Sequence, residues 1–487
     1  MENFYIRANR VFTPIRKYAF FYTLLVAFVG LWFPRLGLSV LLVILSLVTL
    51  SFFKGRYWCG NFCAHGSLFD SALFKWSRNI KIPKFFRSPI FAWLFLAYFS
   101  YNIGNGLIRV SALWGTPMFY DRLGFIFVRS YLMVTIVGGS LALLISPRTW
   151  CNFCPMGMMQ KGSYWLGKKL GVAKKTDEKI TVANQDMCHT CGKCSRVCPM
   201  QLTPYLDFSE ENQVDDINCI RCSTCVENCP AGVLTLSSAT EAKEIYDKTS
   251  IEGYEERKHI ITTIAAIKEL KPDVKELTFT FRIPEIVSYK PGQFILVRIQ
   301  EHPEMYRAFS ISSYNKNHQS LSVTVKRMPN GYGSDIIFDT FKEGDVAHLE
   351  GPMGHELVVD KSQEKVLLVA GGIGITPFVP IVEDLVKDPQ KVQEFTLIYG
   401  VNKEEEFLYR DVFEKFEHMS ARFTFIPVVA FDDQWTGEKG FVTDVLNQLN
   451  LDGSKLYMCG PKPMTDATMR SLVKTDFKKE NIYYESA

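Results

Sequence analysis

The sequence predicts a multidomain protein: a four-helix transmembrane domain, a small cysteine-rich α+β domain, a β-barrel and a closing α/β domain. Three observations predict it. Apolar runs of membrane-spanning length are confined to the first third of the 487 residues. Twelve of the 13 cysteines fall into four tight clusters. After residue 257 the pattern changes to short alternating strands, then to strand, glycine turn and helix.

Charge sets the first boundary. Residues 1–183 carry 22 Lys+Arg against 5 Asp+Glu, a net +17; residues 184–487 carry 33 against 46, a net −13. A basic first third broken by apolar runs fits a membrane domain with basic cytoplasmic loops. An acidic remainder fits a soluble region and argues against nucleic acid as a partner. Four segments, roughly 18–34, 36–53, 88–108 and 124–146, approach the ~20 residues a helix needs to cross hydrocarbon. Lys54, Arg56, Arg78, Lys81, Lys84 and Arg87 follow the second span; Arg148, Lys161, Lys168, Lys169, Lys174 and Lys175 follow the fourth. Arg35, Arg109 and Arg122 are the basic residues of the opposite side. This bias predicts an integral cytoplasmic-membrane protein in contact with lipid, with both termini and the soluble domains in the cytoplasm. No signal-peptide cleavage pattern follows Arg7, Arg10, Arg16 and Lys17, so no removed leader is expected.

Within 1–183, the pairs Cys59/Cys63 and Cys151/Cys154 each end a two-helix hairpin and repeat a Trp-Cys, Asn-Phe-Cys pattern from Trp58 and Trp150. A duplicated hairpin can bring two half-sites together about a pseudo-two-fold axis, giving the four thiolates that one iron–sulfur cube needs. Arg56 and Arg148 stand three residues before each pair, where they either offset a cluster's negative charge or, as the favoured reading, lie at the lipid headgroups. The spans hold no histidine; His65 stands alone just outside and reads as a hydrogen-bonded loop residue, which argues against haem.

Residues 184–236 hold Cys188, Cys191, Cys194, Cys198 and Cys219, Cys222, Cys225, Cys229, each run closed by proline. In two-cluster ferredoxins the fourth cysteine serves the other cluster. That assigns Cys188, Cys191, Cys194 and Cys229 to one [4Fe–4S] cluster and Cys219, Cys222, Cys225 and Cys198 to the second, a two-cluster ferredoxin α+β domain. Zinc knuckles lack the third cysteine and the Cys-Pro. The same spacing argues against a disulfide framework. Residues 18–236 together resemble the polyferredoxin-like membrane proteins associated with periplasmic nitrate and nitrous-oxide reduction, which pair Cys-x-x-x-Cys-Pro motifs at helix ends. Ala64 replaces the first proline, and the second pair has two intervening residues instead of three.

Residues 237–257 read as a charged linker. Strands at 260–264, 277–281, 294–298 and 321–325 predict a small barrel over 258–362. Over 363–487, a strand at 366–370 runs into Gly371, Gly372, Gly374 and Thr376, followed by a helix and a strand at 395–399. Glycines there let a backbone approach a pyrophosphate at a helix start. Arg307, Phe309, Ser310 and Ser312 precede this turn, Gly333 and Ser334 lie between, and Cys459, Gly460 and Pro461 follow a strand at 455–458. In this order the motifs resemble the ferredoxin–NADP reductase superfamily across about 258–487.

The resemblance implies a flavin-binding β-barrel, with FAD ahead of FMN, and an α/β nucleotide-binding domain. It implies Arg307 at the flavin phosphate, Phe309 and Ser310 at the isoalloxazine with Ser312 in the same motif, and Gly333 and Ser334 at the pyrophosphate. Gly371, Gly372, Gly374, Thr376, Gly460 and Pro461 would hold the nicotinamide nucleotide. Cys459 would lie near the nicotinamide, making Cys459 and Ser310 the catalytic candidates. Glu485 and Ser486 match a common C-terminal pattern, with Ala487 where an aromatic often caps the flavin. Glu404, Glu405 and Glu406 follow a single Lys403, which favours NADH over NADPH because a 2′-phosphate calls for arginine.

The whole reads as a membrane-bound oxidoreductase. Electrons pass from cytoplasmic NAD(P)H through flavin and two [4Fe–4S] clusters to a third cluster at the membrane cysteines, then to a quinone or to a membrane or extracytoplasmic redox protein, in either direction. The alternative is a membrane redox sensor or an assembly factor for a respiratory enzyme, which the intact nucleotide module disfavours.

Overall fold

The apolar runs of the first third become helices, because a helix satisfies its own backbone away from water. The computed structural model describes residues 4–486 apart from 256, 314, 330, 389–391 and 475–476. Among these, three helical stretches are long and apolar enough to cross a bilayer: Pro14–Leu31, Pro34–Lys54 and Phe119–Leu144. The fourth expected span does fold as a helix of 23 residues, Pro89–Ser111, but it is not among those three. Asn102, Gly104, Asn105 and Gly106 dilute its apolar character over two turns. Of the four expected spans, three are thus apolar enough to cross, with this mixed helix beside them. The hairpin tip Pro34–Leu38 seats on helix Phe119–Met133 through glycines. A Cβ on Gly37 would lie 2.0 Å from the Gly124 carbonyl oxygen, and one on Gly124 2.1 Å from that of Pro34. Small residues permit that backbone approach.

The chain divides into two compact units, Met1–Ser250 and Ile251–Ala487. The first unit also contains the cysteine-rich region, built on antiparallel strands Lys179–Val182 and Leu234–Ser237 with short helices Lys193–Val197 and Thr224–Glu227. The segment expected as a linker holds a helix, Ala239–Lys248, started by a reciprocal capping box between Ser238 and Glu241. Such a box satisfies two otherwise orphaned backbone donors.

The second unit opens with a six-stranded antiparallel sheet in the spatial order 305–310, 294–300, 346–353, 258–271, 274–283 and 320–326. A bridge from Ile311 to Val323 joins the two edges into a barrel. A six-stranded parallel sheet follows, in the order 438–439, 423–429, 394–401, 365–371, 454–460 and 482–486. Its strands are buried on both faces, as parallel sheets require, with Leu368, Tyr399 and Phe378 in one core and Val369, Ile398 and Met458 in the other. The first strand of this sheet lies between the second and the fifth. Strand order therefore reverses at its edge, where such sheets place their ligands.

Candidate functional site

The reversal point gathers the glycine turn and the Cys-Gly-Pro turn. Strand Lys365–Gly371 ends in a tight turn, Gly372–Ile375, and helix Phe378–Lys387 follows. Gly372 has φ +54°, and a Cβ there would meet nothing within 4 Å, so this backbone is open to a ligand. A Cβ on Gly374 would fall 2.3 Å from the Cys459 carbonyl oxygen and 2.7 Å from the Gly460 nitrogen. Pro461 Cδ stands 3.2 Å from a Cβ on Gly371. Gly371, Gly372, Gly374, Cys459, Gly460 and Pro461 thus converge as the sequence implied, with Thr376 buried at the helix entry.

Cys459 is paired in register with Glu485 of the last strand. Burial raises the Cys459 thiol well above the usual range, and Glu485 adds to the rise. Burial, then Glu356, push the Glu485 carboxyl up to about 8. Its Oε1 is enclosed without a hydrogen-bond partner and lies 3.4 Å from a Cβ built on Gly354. That orphaned oxygen is where a polar ligand edge fits. The same Cβ would touch Phe294, whose register partner is Ser310. Phe309 precedes Ser310 on strand Met305–Ser310. Ala487 lies outside the described residues.

Arg307, on that strand, meets the start of helix Tyr332–Thr340: a Cβ on Gly333 would come within 2.6 Å of Arg307 Nε. A guanidinium beside a helix N-terminus suits a diphosphate, so these residues fit FAD. Ser334 Oγ accepts from Met328 N at 3.1 Å and donates to the Gly331 carbonyl at 3.0 Å, which shapes the turn. Ser312 is buried and accepts from the Thr324 hydroxyl at 3.1 Å. Thr324 also meets the Tyr409 hydroxyl at 2.6 Å, and Tyr409 donates to Glu276 at 2.6 Å. That clasp joins barrel and parallel sheet, and Tyr409 carried no signal in the sequence.

In the cysteine-rich region, Cys198 feels the charges of Cys222 and Cys219, and Cys225 those of Cys222, Cys219 and Cys198. Cys194 feels Cys191 and Cys188. Cys194 also feels Cys198, and Cys225 feels Cys194, so the two runs lie against one another, with Cys222 the thiol that acts most on Cys198. Among the described residues no three His, Cys, Asp or Glu side chains gather tightly enough to hold a single ion. Ligands of a four-iron cube stand farther apart than ligands of one ion.

The four cysteines of the first third also converge. Cys59, Cys63, Cys151 and Cys154 line one cavity of about 620 Å³. Burial pushes both Cys63 and Cys154 up to about 12, and neighbouring thiols raise them further. The two arginines mirror one another. Arg56 donates to the Cys151 carbonyl at 3.0 Å and approaches Cys59 Sγ at 3.8 Å. Arg148 donates to the Cys59 carbonyl at 3.1 Å and approaches Cys151 Sγ at 3.7 Å. Both are 1% exposed, so the expected headgroup position is corrected: they are built into the cysteine site. Gln160 adds an N–H to Cys59 Sγ at 3.1 Å.

Sequence reasoning missed Asp70. Its Oδ2 accepts from Arg16 and Arg148, each at 2.6 Å, and Arg10 stands 3.8 Å from Oδ1. Burial opposes its ionisation, yet Arg148, Arg16 and Arg10 hold its carboxyl well below the usual range. The signal was present: Asp70 is the sole acidic residue between positions 3 and 120. The site also abuts the ferredoxin region. A Cβ on Gly60 would sit 2.0 Å from the Ile220 carbonyl oxygen and 3.2 Å from Cys222 Cβ. Cys59, Cys151 and Ile220 share one hydrophobic cluster, with Cys198 and Cys222 packed against it.

Known proteins match these sites in order. An oxidoreductase FAD-binding domain matches residues 262–357 and an oxidoreductase NAD-binding domain residues 368–470. A 4Fe-4S dicluster domain matches 180–230. The probable dihydroorotate dehydrogenase B (NAD+) electron transfer subunit of Thermococcus kodakarensis is 32% identical over 210 residues, 43% of this chain and 78% of that protein. The chain belongs to the oxidoreductases with ferredoxin-reductase-type FAD- and NAD-binding domains. The toluate 1,2-dioxygenase electron transfer component of Pseudomonas putida is 27% identical over 240 residues, 49% of this chain and 68% of that protein. Among solved structures, an Amycolatopsis cytochrome P450 reductase aligns with TM-score 0.43 and 21% identity over 47% of this chain and 70% of that one. This oxidoreductase joins FAD and NAD(P)H binding to two [4Fe–4S] sites, an electron-transfer reductase. A 4Fe-4S binding domain matches twice more, at 36–83 and 130–173, one match around each membrane pair.

Proposed function

We propose that this oxidoreductase sits in the cytoplasmic membrane, takes electrons from cytoplasmic NADH and delivers them to an acceptor at the membrane, a quinone or a partner redox protein. When bound, FAD supplies the change from hydride to single electrons, and iron–sulfur clusters supply one-electron carriage. The chain's own residues set the order. The 371–376 turn and Cys459–Pro461 orient the nucleotide, and Arg307 with the Gly333 helix start anchors the diphosphate. Glu485, held neutral near pH 7, can donate a hydrogen bond beside Cys459.

The observation that carries the membrane end is charge. Arg10, Arg16 and Arg148 surround the buried carboxylate of Asp70, and Arg56 stands beside Cys59 and Cys151; all four are at most 3% exposed, four cations against one anion around the cysteine site. Buried charge without a counter-charge costs several kcal/mol per ion, roughly. A cube held by Cys59, Cys63, Cys151 and Cys154 supplies the missing negative charge, and the paired 4Fe-4S matches agree. Helix Pro89–Ser111 then serves as the fourth span, its Ile90, Trp93, Leu94 and Ile108 exposed for lipid. Iron analysis tests this: about twelve irons per chain are expected, from three cubes. Cys59→Ser with Cys154→Ser should lose about four irons, keep NADH oxidation by ferricyanide, and stop delivery to the membrane acceptor. Full iron and full delivery in that variant would overturn the reading.

A further inference from the structure

A second cavity, of about 680 Å³, shares no lining residue with that of the cysteines. It lies between the start of helix Pro89–Ser111, helix Pro155–Lys169 and the ferredoxin segment 216–218. Its volume falls within the range of small-molecule sites, ~300–1,000 Å³. Arg87 and Lys161 supply its cations; Trp93, Met158, Trp165 and Leu202 supply apolar wall. Arg87 is half-buried, and its Nη2 donates to the Met200 and Gln201 carbonyls at 2.9 and 2.6 Å. Nε and Nη1 are left to donate to a ligand. Lys161 is half-buried too, and its Nζ donates to Asn218 Oδ1 at 2.6 Å, with further N–H groups to spare. Asp216 is the carboxylate on the wall, and its Oδ1 already accepts from the Asn218 backbone and side-chain amides at 2.7 and 2.9 Å. Arg87 and Lys161 against Asp216 leave the wall net positive. Trp93 and Trp165 are exposed at its mouth. Tryptophan, with an apolar ring and a polar N–H, favours the level where hydrocarbon gives way to headgroups.

We infer that this cavity holds the phosphate of an anionic phospholipid, with Arg87 and Lys161 on its oxygens and the acyl chains leaving past Trp93 and Trp165. The inference rests on the proposed membrane placement, which brings lipid to this level. Free inorganic phosphate shares the charge chemistry but gains nothing from Trp93, Met158 and Trp165, whereas an acyl chain buries against them at ~25 cal/mol per Å². The bound lipid fastens the ferredoxin region to the bilayer surface, because both of its cations also grip that region. Arg87 holds the backbone at Met200 and Gln201, and Lys161 holds Asn218. The headgroup position expected of Arg56 and Arg148 thus falls to Arg87 and Lys161.

The test uses the full chain, loaded with flavin and iron, in phosphatidylcholine bilayers. The probes are phosphatidylglycerol and phosphatidylcholine brominated on their acyl chains. Bromine quenches a tryptophan that it touches, so Trp93 and Trp165 report occupancy, and a Trp93→Phe, Trp165→Phe double variant gives their share by subtraction. Quenching should saturate at an about tenfold lower fraction of brominated phosphatidylglycerol than of brominated phosphatidylcholine, since each cation at a membrane surface favours an anionic lipid roughly fivefold. Lys161→Gln should lose about fivefold of that preference, and Lys161→Arg should keep it. Gly162 lines the cavity, and a Cβ there meets nothing within 4 Å, so Gly162→Phe fills the space at unchanged charge and should abolish saturation. Wild-type iron and flavin content in each variant confirms an intact fold. An unchanged preference in both Lys161→Gln and Gly162→Phe would overturn the inference. So would relief of the quenching by excess inorganic phosphate, which would mark a free-phosphate site. If both brominated lipids quench wild type alike, the membrane placement stands and the phosphate site falls; if neither quenches at all, the membrane placement itself falls.

Discussion

At the scale of the residue, one carboxylate organises the membrane end. Asp70 takes hydrogen bonds from Arg16 and Arg148, with Arg10 behind them. Removing its charge leaves three buried guanidiniums facing one another. Loss of one partner from a buried ion pair costs about 3–5 kcal/mol. Asp70→Asn should therefore lower the melting temperature sharply or prevent accumulation, while Asp70→Glu retains part of the stability; a melt unchanged in Asp70→Asn would refute this role. Glu485 makes a second, opposite case. Its folded pKa of about 8 lies above the ordinary 4.5 because burial disfavours the charged form. A raised folded pKa means that its stability contribution is complete below about 4.5 and is lost as pH climbs to about 8. Glu485→Gln, neutral throughout, should match wild type below about pH 4 and melt progressively higher than wild type between there and about pH 8. A constant gap across that range would show that Glu485 does not titrate there.

At the scale of the element, the loop after strand Glu394–Val401 decides the donor. Glu404–Glu406 forms a short turn, and Arg410 is held by Glu404 at 2.8 Å and Glu414 at 2.7 Å. Lys271 donates to the Glu405 carbonyl, and Lys403 lies 3.9 Å from the Glu405 carboxylate. Arg410, Lys271 and Lys403 are thus engaged, so a 2′-phosphate would meet the carboxylates of Glu404–Glu406 instead. NADH should exceed NADPH in kcat/KM by about tenfold or more, about 1.4 kcal/mol; parity in a steady-state comparison would contradict this. Strand and turn were legible here because alternation and glycines act locally. The strands Met305–Ser310 and Val346–Met353 were not marked out, since Arg307, His348, Glu350 and Gly351 interrupt their alternation and the pairing is fixed by distant partners. The helix Ala239–Lys248 was hidden by its own charge, although Ser238 and Glu241 spelled its start. The Cys-x-x-Cys runs could be read outright because their ligands are close in sequence. Asp70 could not be paired in advance, because Arg10, Arg16 and Arg148 reach it from three separate segments.

At the scale of the whole molecule, the topology of the first unit constrains everything attached to it. Basic residues cluster before and after the apolar helices on one side, and the 109–123 stretch holds Arg109, Asp121 and Arg122 on the other. Arg35 pairs with Asp121 at 2.9 Å, so the tip of the first hairpin and the start of helix Phe119–Met133 share a level. Each cysteine pair lies one apolar helix away from that level, Ser39–Lys54 before Cys59 and Phe119–Leu144 before Cys151, beside Ile220 and Cys222. If Pro89–Ser111 crosses, the Arg35–Asp121 level and the cysteine sites face opposite compartments, and the ferredoxin region shares its side with the basic loops. Ser111 ends that helix and is exposed. A Ser111→Cys variant should react with a membrane-impermeant maleimide in intact bacterial cells, whereas Lys174→Cys should react only after permeabilisation. The reverse pattern would mean either an inverted orientation or that Pro89–Ser111 does not cross, and Lys81→Cys separates the two, since it labels in intact cells only if the orientation is inverted; labelling of both before permeabilisation would mean that Phe119–Leu144 does not cross.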